Sequence, residues 1–588
     1  MASCIDANEF PLLTGSSSSS KIDYLQEQLV YLQFNIARKY NREDILFLHS
    51  HVIEVLKTIK MNLHYDKTAP TYIQLLNTFY LFMFYTRDMQ EGLGERTMSY
   101  ILIMAFYDVF PALAIYAVHY FVQNSYKTEN TCQQNNIYSN AIGSWKDMIS
   151  ICDFLRVYSK QGDKHSLIDI CIEKAVTQLI KDNATWKHSI HAMNTHYISN
   201  VAKWIPREHK KYDWLFDRFV FCWSNRVHPH IFSTAISAES HAKAFSKCKR
   251  LFRKQIAYLN KQLHTTEIQM TNNLWNCIDH EHMSIGTYMK HFDKWNRVTA
   301  DMHYTPDVYN QPNKPMITGS LPTFAVLVKH AIQIITCKES IDRNELKQTT
   351  DKLNAQWKRI MMRFQPSSFH FTIPILDVST STQQGDLDAF YHAIGIAITL
   401  ASKSNIHCRM MAVAASPVWI QWKETDLFVD IVAIILESIS SIQGSPLQYK
   451  KAVELIAQGI CDSHSTPRFA ENLNIVVISD FYLDIHNVDI QSIFMAKQIQ
   501  VIPNMFFWNL SNHHMNDIST SIHDYKQYFY SGYSMHILQD IKFVMKQLCD
   551  GLCITSYNAA VARLNKQRYL PITDYLHSLC FSVGDNNT

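Results

Sequence analysis

The sequence predicts a two-part fold in which a long α-helical region precedes a doubly wound α/β domain. Over residues 22–301 apolar residues recur at three- and four-residue spacing, which is typical of amphipathic helices. After residue 365, short apolar segments of strand length alternate with helical segments, which is typical of a mostly parallel sheet. Between these parts, Met302–Thr323 contains four prolines and indicates a linker.

The first part is predicted to be a stack of helix pairs. Short connections between consecutive helices favour an α-solenoid of the HEAT kind. Before them, residues 1–21 form a Ser-rich arm that we expect to be flexible, because it cannot bury an apolar face. The predicted helices are Ile22–Ala37, Ile45–Leu63, Tyr72–Tyr85, Arg96–Phe110, Ala112–Val122, Lys146–Tyr158, Ser166–Lys181, Asp213–Phe221, His241–Leu263 and Glu267–Cys277.

The second part is predicted to be an α/β domain over residues 366–550. Residues 302–365 supply the linker and connecting helices, and residues 551–588 a C-terminal helical segment and tail. A β-hairpin is expected around Ser416-Pro417. The predicted strands are Phe369–Leu376, Ile406–Ala415, Val418–Trp422, Asn474–Ser479, Gln500–Trp508 and Tyr525–Tyr530.

Composition narrows the class of protein. Hydrophobic residues make up 47% of the 588 and charged residues 18%, which suits a globular chain. The net charge of +3 argues against a chain that binds nucleic acid over its whole surface. No uninterrupted apolar segment has membrane-spanning length, and the first residues lack a signal-peptide pattern, so we expect a cytoplasmic protein with no membrane partner. The 13 cysteines are scattered and are expected to be free thiols.

Oxygen-bearing side chains follow two of the predicted strands. Asp377, Ser379 and Ser381 come directly after the first strand, and Asp480 follows a later one. Because parallel strands end at one edge of a sheet, these side chains are expected to meet there and to hold Mg²⁺ or Mn²⁺. Ser445, between two predicted helices, is a third candidate source of a ligand. The alternative is that the aspartates cap helices and the serines satisfy turn amides.

A basic stripe lies on the predicted helix His241–Leu263. Lys243, Lys247, Arg250 and Lys254 are spaced four, three and four residues apart, and Lys249 and Arg253 lie beside them. Such a stripe is either a solvated helix face or a surface that contacts phosphates, for instance those of single-stranded or structured RNA.

Three features of the α/β part resemble a von Willebrand factor A (vWA) domain with its metal-ion-dependent adhesion site. They are the DVSTS sequence after the first strand, the later strand ending in VVISD, and the order of strands and helices. The resemblance implies a Rossmann-like sheet and a metal held by Asp377, Ser379, Ser381, Ser445 and Asp480. The third metal loop departs from the vWA pattern, since vWA domains usually place Thr where this chain has Ser445 before Pro446.

Other segments resemble an uncharacterised family of plants, fungi and giant viruses. That family joins a helical region to a vWA-like domain, an architecture similar to the TROVE proteins, which include the Ro autoantigens. The resemblance spans about residues 70–545. The segments are YTRDMQEGLGER (Tyr85–Arg96), GSWKDM (Gly143–Met148), ISNVAKWIPRE (Ile198–Glu208), Phe252–Met270, FFWNL (Phe506–Leu510) and SGYS (Ser531–Ser534).

Two of these segments have simple structural interpretations. RDMQEGLGER contains Gly-x-Gly, but no strand precedes it, so it is expected to be a tight turn between helices with its charged residues paired. KWIPRE is expected to end a helix before Pro206, with Trp204 buried.

The resemblance implies a scaffold that captures a carboxylate of a protein partner through Mg²⁺ and that contacts RNA through its helices. The alternative is a structural, virion-associated assembly protein that does not bind nucleic acid. Enzyme activity is not expected, because no nucleophile–base pair or pair of catalytic carboxylates stands out.

Overall fold

The structure is a computed structural model of the chain. It describes residues 18–63, 69–123, 141–192, 198–233, 237–263, 265–275, 278, 291, 324–336, 343–362, 364–365, 367–379, 387–440, 442, 448–463, 467–480, 489–511 and 526–582.

The first part of the chain is helical, as predicted. Its apolar positions become the buried faces: in the second helix, Ile45, Leu48, Val52 and Leu56 are all buried. Sequential helices pack on one another over most of the region. The helices are α1 (Ser18–Phe34), α2 (Arg42–Asn62), α3 (Ala69–Arg87), α4 (Thr97–Val109), α5 (Pro111–Phe121), α6 (Trp145–Tyr158), α7 (Ser166–Ala192), α8 (Val201–Trp204), α9 (Asp213–Val227), α10 (Pro229–Ser233), α11 (Ala238–Gln262) and α12 (Thr266–Thr271).

The second part combines one sheet with helices. Its strands are rich in Ile, Val and Phe and are buried along most of their length, as parallel strands covered by helices are. Its elements are α13 (Phe324–Thr336), α14 (Arg343–Met361), β1 (Phe371–Asp377), α15 (Leu387–Ser402), β2 (Arg409–Val413), β3 (Pro417–Gln421), α16 (Phe428–Ser440), α17 (Tyr449–Asp462), α18 (Pro467–Asn472), β4 (Leu473–Ser479), α19 (Ile490–Ala496), β5 (Asn504–Asn509), β6 (Gln527–Ser531), α20 (His536–Cys549), α21 (Ser556–Ala562) and α22 (Leu570–Ser582).

The six strands form one sheet in the order β3-β2-β1-β4-β5-β6. All neighbouring pairs are parallel except the edge hairpin β2–β3. The predicted hairpin and the doubly wound, vWA-like domain are therefore confirmed. The order reverses between β1 and β4, and ligands of doubly wound sheets bind at such a switch point, at the carboxyl ends of the strands.

Both ends of the described chain cover the edge strand β6. On the C-terminal side, the Ser556 hydroxyl donates to the Gln527 carbonyl (2.5 Å) and Arg563 Nη2 donates to the Phe529 carbonyl (3.0 Å). On the N-terminal side, α1 packs against β6 and α21. These contacts satisfy backbone groups that an open sheet edge would leave exposed.

Helix α13 packs against α15 of the α/β part. The contact is tight at Gly395, where a Cβ would lie 2.3 Å from Phe324 Cβ. Trp357 of α14 stacks on Phe428 of α16, with ring centroids 4.0 Å apart. The sequence analysis predicted α13 and α14 as connecting helices between the two parts. In the structure they pack as one layer of the α/β domain. No helix in the described part of the chain is long and apolar enough to cross a membrane.

Candidate functional site

The predicted metal ligands Asp377 and Asp480 lie at neighbouring strand ends. Residue pairing between β1 and β4 continues to Leu376 and Ile478, so the next residues, Asp377 and Ser479, lie side by side and Asp480 follows. This position is the switch point of the sheet. The strand order therefore brings both aspartates to the same edge of the sheet.

Asp377 is buried and holds the switch point together. The Ser379 backbone N–H donates to Asp377 Oδ1 (2.9 Å), and the Ser479 hydroxyl donates to Asp377 Oδ2 (2.6 Å). The next residue, Val378, donates its N–H to the Val413 carbonyl of β2 (2.9 Å). The carboxylate is thereby fixed across the β1–β4 boundary, and each of its oxygens can accept further bonds.

The other predicted ligands divide into two groups. Ser379 is buried and Asp480 is half-buried, both at the switch point. Ser381 and Ser445 lie outside the described residues. The hydroxyl that contacts Asp377, that of Ser479, was not among the predicted ligands. The position of Ser479 at the end of a strand, directly before Asp480, could have identified it from the sequence.

The atoms at the switch point that could bind a metal are, among the described residues, all oxygens. They belong to two carboxylates and to the hydroxyls of Ser379 and Ser479. Hard divalent cations such as Mg²⁺ and Mn²⁺ take this set, whereas zinc sites are built from Cys and His as well. Among the described residues, no group of three or more His, Cys, Asp or Glu is arranged to hold a metal. A metal at the switch point would therefore depend on hydroxyl ligands. The chemistry of the donors fits the hard cation that the vWA resemblance implies.

The other half of the same sheet edge is occupied by the segment that follows α1. Asn509 Nδ2, at the end of β5, donates to the Phe34 carbonyl (3.0 Å). The Ile36 N–H donates to the hydroxyl of Ser531, at the end of β6 (3.2 Å). The N-terminal helical part and the α/β domain thus share the edge that carries the switch point.

Arg38, Tyr533 and His392 lie together beyond this segment. The Arg38 guanidinium carbon is 3.5 Å from the centroid of the Tyr533 ring, and the His392 ring centroid is 5.2 Å from it. Burial, reinforced by the charge of Arg38, lowers the pKa of His392 to about 3. His392 is therefore neutral at physiological pH. Neither of its ring nitrogens has a hydrogen-bond partner among the described residues.

The structure divides the basic residues of α11 into two sets. Lys249 lies 2.6 Å from Asp217 and 3.5 Å from Glu208, Arg253 pairs with the same Glu208, and Lys243 pairs with Glu239 at 2.7 Å. The remaining three, Lys247, Arg250 and Lys254, are exposed and have no carboxylate within ion-pair distance in the described chain. These three form the open basic face of α11.

An aromatic pair follows the open basic face by one helical turn. Tyr258 is 39% exposed, and its hydroxyl accepts a hydrogen bond from the indole N–H of Trp186 in α7 (2.9 Å). Aromatic rings beside cationic side chains are a common arrangement for stacking unpaired bases. The sequence did not indicate this pair, because Trp186 and Tyr258 are 72 residues apart.

The chain matches one family model and several solved structures, and one comparison gives a negative result. A family model described as a domain of unknown function, DUF2828, matches residues 155–368. The crystal structure of the Deinococcus radiodurans Ro (Rsr) protein aligns over 90% of this chain and 99% of that chain, at 11% identity and a TM-score of 0.33. At this TM-score the likeness supports no inference about function. No curated protein matches the chain.

Proposed function

We propose that the chain is a non-enzymatic interaction protein with two binding surfaces. The switch point of the α/β domain would hold Mg²⁺ or Mn²⁺ and through it a carboxylate of a protein partner. The open basic face of α11 would bind RNA. The observation that supports the proposal most is the position of Asp377, Ser479 and Asp480 at adjacent strand ends where the sheet order reverses.

In the proposed metal site, Asp377, Ser379 and Asp480 would hold the cation with Ser381 and Ser445. The cation would leave a coordination position for an incoming carboxylate. This chain's own part is to fix the geometry. The bonds from the Ser379 N–H and the Ser479 hydroxyl hold the Asp377 carboxylate in one orientation before any ligand arrives.

Calorimetric titration with Mg²⁺ and Mn²⁺ tests the metal site. Wild type is expected to give saturable heat, and Asp377→Ala to give none. Asp462→Ala, which removes an exposed carboxylate at the end of α17, is the matched control and should bind like wild type. Equal heats for wild type and Asp377→Ala would refute the metal proposal, and a circular-dichroism melt checks that the variant is folded.

The RNA proposal depends on which cations are available. Lys249 and Arg253 are engaged with Glu208, and a phosphate would have to compete with that carboxylate. Lys247, Arg250 and Lys254 carry no such partner within the described chain, and Trp186 with Tyr258 offers an aromatic surface next to them. Three phosphate contacts to a single strand correspond to a slope of log K against log salt of about −2.

Fluorescence anisotropy with a labelled single-stranded RNA across a salt series tests this surface. The Lys247→Ala/Arg250→Ala/Lys254→Ala variant is expected to lose most of the affinity and to flatten the salt slope. Lys249→Ala/Arg253→Ala is the control, because its cations are already paired, and a smaller loss is expected. If wild type shows no salt-dependent binding, the RNA surface is refuted. The assembly alternative without nucleic acid would then be preferred.

A further inference from the structure

Two segments far apart in sequence meet around one buried carboxylate: the α3–α4 turn with RDMQEGLGER and the GSWKDM segment at the start of α6. A third segment, KWIPRE with α8, lies beside the second, because α8 packs on α6. The Asp147 carboxylate accepts hydrogen bonds from Arg87 Nε and Nη2 (both 2.8 Å) and from the Tyr100 hydroxyl (2.5 Å). The Ser144 N–H (2.6 Å) and hydroxyl (3.0 Å) also donate to it. The acceptor positions of the Asp147 carboxylate are therefore occupied by these neighbouring donors.

The backbone of these segments is fixed by the same network. The Met89 N–H donates to the Ile142 carbonyl (3.3 Å), which joins the α3–α4 turn to the segment before α6. At Gly143 a Cβ would lie only 2.8 Å from Asp147 Oδ2. A side chain there would displace the carboxylate, so the close approach requires glycine.

Several side chains that reach the surface from these segments are cationic, while the exposed Glu91 of the α3–α4 turn lies 3.8 Å from Arg568. Arg96 lies at the edge of the network, its Nε 3.8 Å from Asp147 Oδ1, and its side chain is 44% exposed. The Lys146 ammonium lies 5.2 Å from the centroid of the Trp204 ring, and Lys211 follows α8 as an exposed residue. Trp204 is half-buried rather than buried, contrary to the sequence-based expectation. We call Arg96, Lys146 and Lys211 the cation cluster.

The cation cluster has an excess of positive charge. Asp147 is engaged by Arg87, and the other acidic residue nearby, Glu95, is flanked by Arg38, Arg87 and Arg96. Within the described chain no carboxylate lies at ion-pair distance from Lys146 or Lys211. Burial and the charges of Arg96 and Lys211 lower the pKa of the Lys146 ammonium, although Asp147 acts in the opposite direction.

A buried hydrogen-bond donor of Arg87 also favours an anion at this place. Arg87 is fully buried, and its Nη1 has no hydrogen-bond partner among the described residues. An anion bound at the cluster would offset the positive charge of its side chains that the Asp147 carboxylate does not neutralise. Arginine and lysine side chains are the usual recognition elements for phosphate. In this cluster Arg96 is 3.8 Å from Asp147, whereas Lys146 and Lys211 have no carboxylate within ion-pair distance in the described chain.

We propose that the cation cluster, beside the Trp204 ring, binds a phosphate group. The site uses side-chain cations and not a glycine-rich loop of backbone amides. The phosphate could come from a free phosphorylated small molecule or from the 5′ end of a nucleic acid. The cluster shares no residue with the open basic face of α11 or with the switch point, so the proposal does not rest on either proposed function.

Calorimetric titration with inorganic pyrophosphate is the test. Wild type is expected to bind, and Arg96→Gln/Lys146→Gln to bind at least about tenfold more weakly, because the double variant removes two charge-assisted contacts to the anion. Lys450→Gln/Lys451→Gln, which removes the same charge from exposed positions of α17, should leave pyrophosphate binding nearly unchanged. Lys211→Gln, at an exposed position that leaves the buried network intact, should also weaken binding.

Competition then separates the two sources of phosphate. A 5′-phosphorylated RNA oligonucleotide that displaces pyrophosphate, while its 5′-hydroxyl counterpart does not, identifies a nucleic-acid end. Failure of both to compete identifies a small phosphorylated ligand, and either result supports the site. No pyrophosphate binding by wild type, or equal losses in the cluster variant and the α17 control, overturns it. RNA binding that fails on the α11 face while pyrophosphate binding persists would reject the RNA proposal and leave this one standing.

Discussion

Replacing Asp147 with Asn should destabilise the helical region strongly. Asp147 and Arg87 are both fully buried, so the substitution leaves the Arg87 guanidinium as an uncompensated buried charge. It also removes the acceptor for either Tyr100, which donates to Oδ1, or Ser144, which donates to Oδ2, because the amide keeps only one oxygen and its nitrogen cannot accept. Removing one partner of a buried ion pair typically costs about 3–5 kcal/mol. Asp153→Asn is the matched control, since its pair with Arg156 (3.2 Å) is partly exposed and should contribute less than about 1 kcal/mol.

Hydrogen exchange measured by mass spectrometry is the appropriate assay, because a multidomain chain has no single free energy of unfolding. Protected amides of α4 and α6 should exchange roughly two to three orders of magnitude faster in Asp147→Asn. The double variant Arg87→Met/Asp147→Asn should recover part of the loss, because the unpaired charge is gone. Equal and small effects in Asp147→Asn and Asp153→Asn would refute the assignment of this pair as the centre of the region.

The same carboxylate predicts a pH dependence. Burial raises the pKa of Asp147, but the charge of Arg87 and the hydrogen bonds from Arg87, Tyr100 and Ser144 outweigh it, so the pKa lies below its ordinary value of 3.8. The unfolded chain therefore takes up this proton at higher pH than the folded chain does. The stabilisation is complete well above pH 3.8 and is lost as the pH falls through the lowered pKa. Asp147→Asn should lack this acid-dependent step.

Two further predictions concern the α/β domain. Gly395→Ala should cost about 1–3 kcal/mol of stability, because the new methyl would overlap Phe324. Gly459→Ala, in an open part of α17, should instead stabilise the protein by about 0.5–1 kcal/mol. The urea midpoints of the two variants measure the contrast, and similar midpoints would contradict it. The pKa of His392 is lowered by burial and by Arg38 from 6.5 to about 3, so the folded chain excludes a proton that the unfolded chain binds, and stability falls as the pH drops below 6.5. His392→Phe should remove up to about 1.4 kcal/mol per pH unit of that slope, and urea midpoints with the same pH dependence as wild type would contradict this.

The order and type of the elements could be predicted from local sequence pattern. The periodicity of Ile45, Leu48 and Val52 arises within one helix, and the apolar sequence before Asp377 arises within one strand, so both can be recognised without knowledge of their neighbours. The position of Asp377 and Asp480 at one edge of the sheet also followed from sequence. Parallel strands end at one edge, and that rule needs only the direction of the strands.

Polar contacts between residues that are far apart in sequence could not be predicted from local pattern. Asp147 and Arg87 are 60 residues apart, and the Ser479 hydroxyl reaches Asp377 over 102 residues. The division of the α11 cations into paired and open sets depends on Glu208 and Asp217, which lie on other elements. Such contacts depend on how the elements pack, and hydrophobic packing does not encode specific polar partners in local pattern.

The sequence by itself determined a helical region, a doubly wound sheet and the sheet edge where two aspartates meet, because these follow from periodicities of 3.6 and 2 residues along the chain. The tertiary structure alone decided that both ends of the described chain cover β6, that the Ser479 hydroxyl contacts the switch-point carboxylate, and that two distant segments converge on Asp147. The physical reason is that burial leaves each polar group to find a partner in space, and nearness in space is set by packing rather than by sequence order.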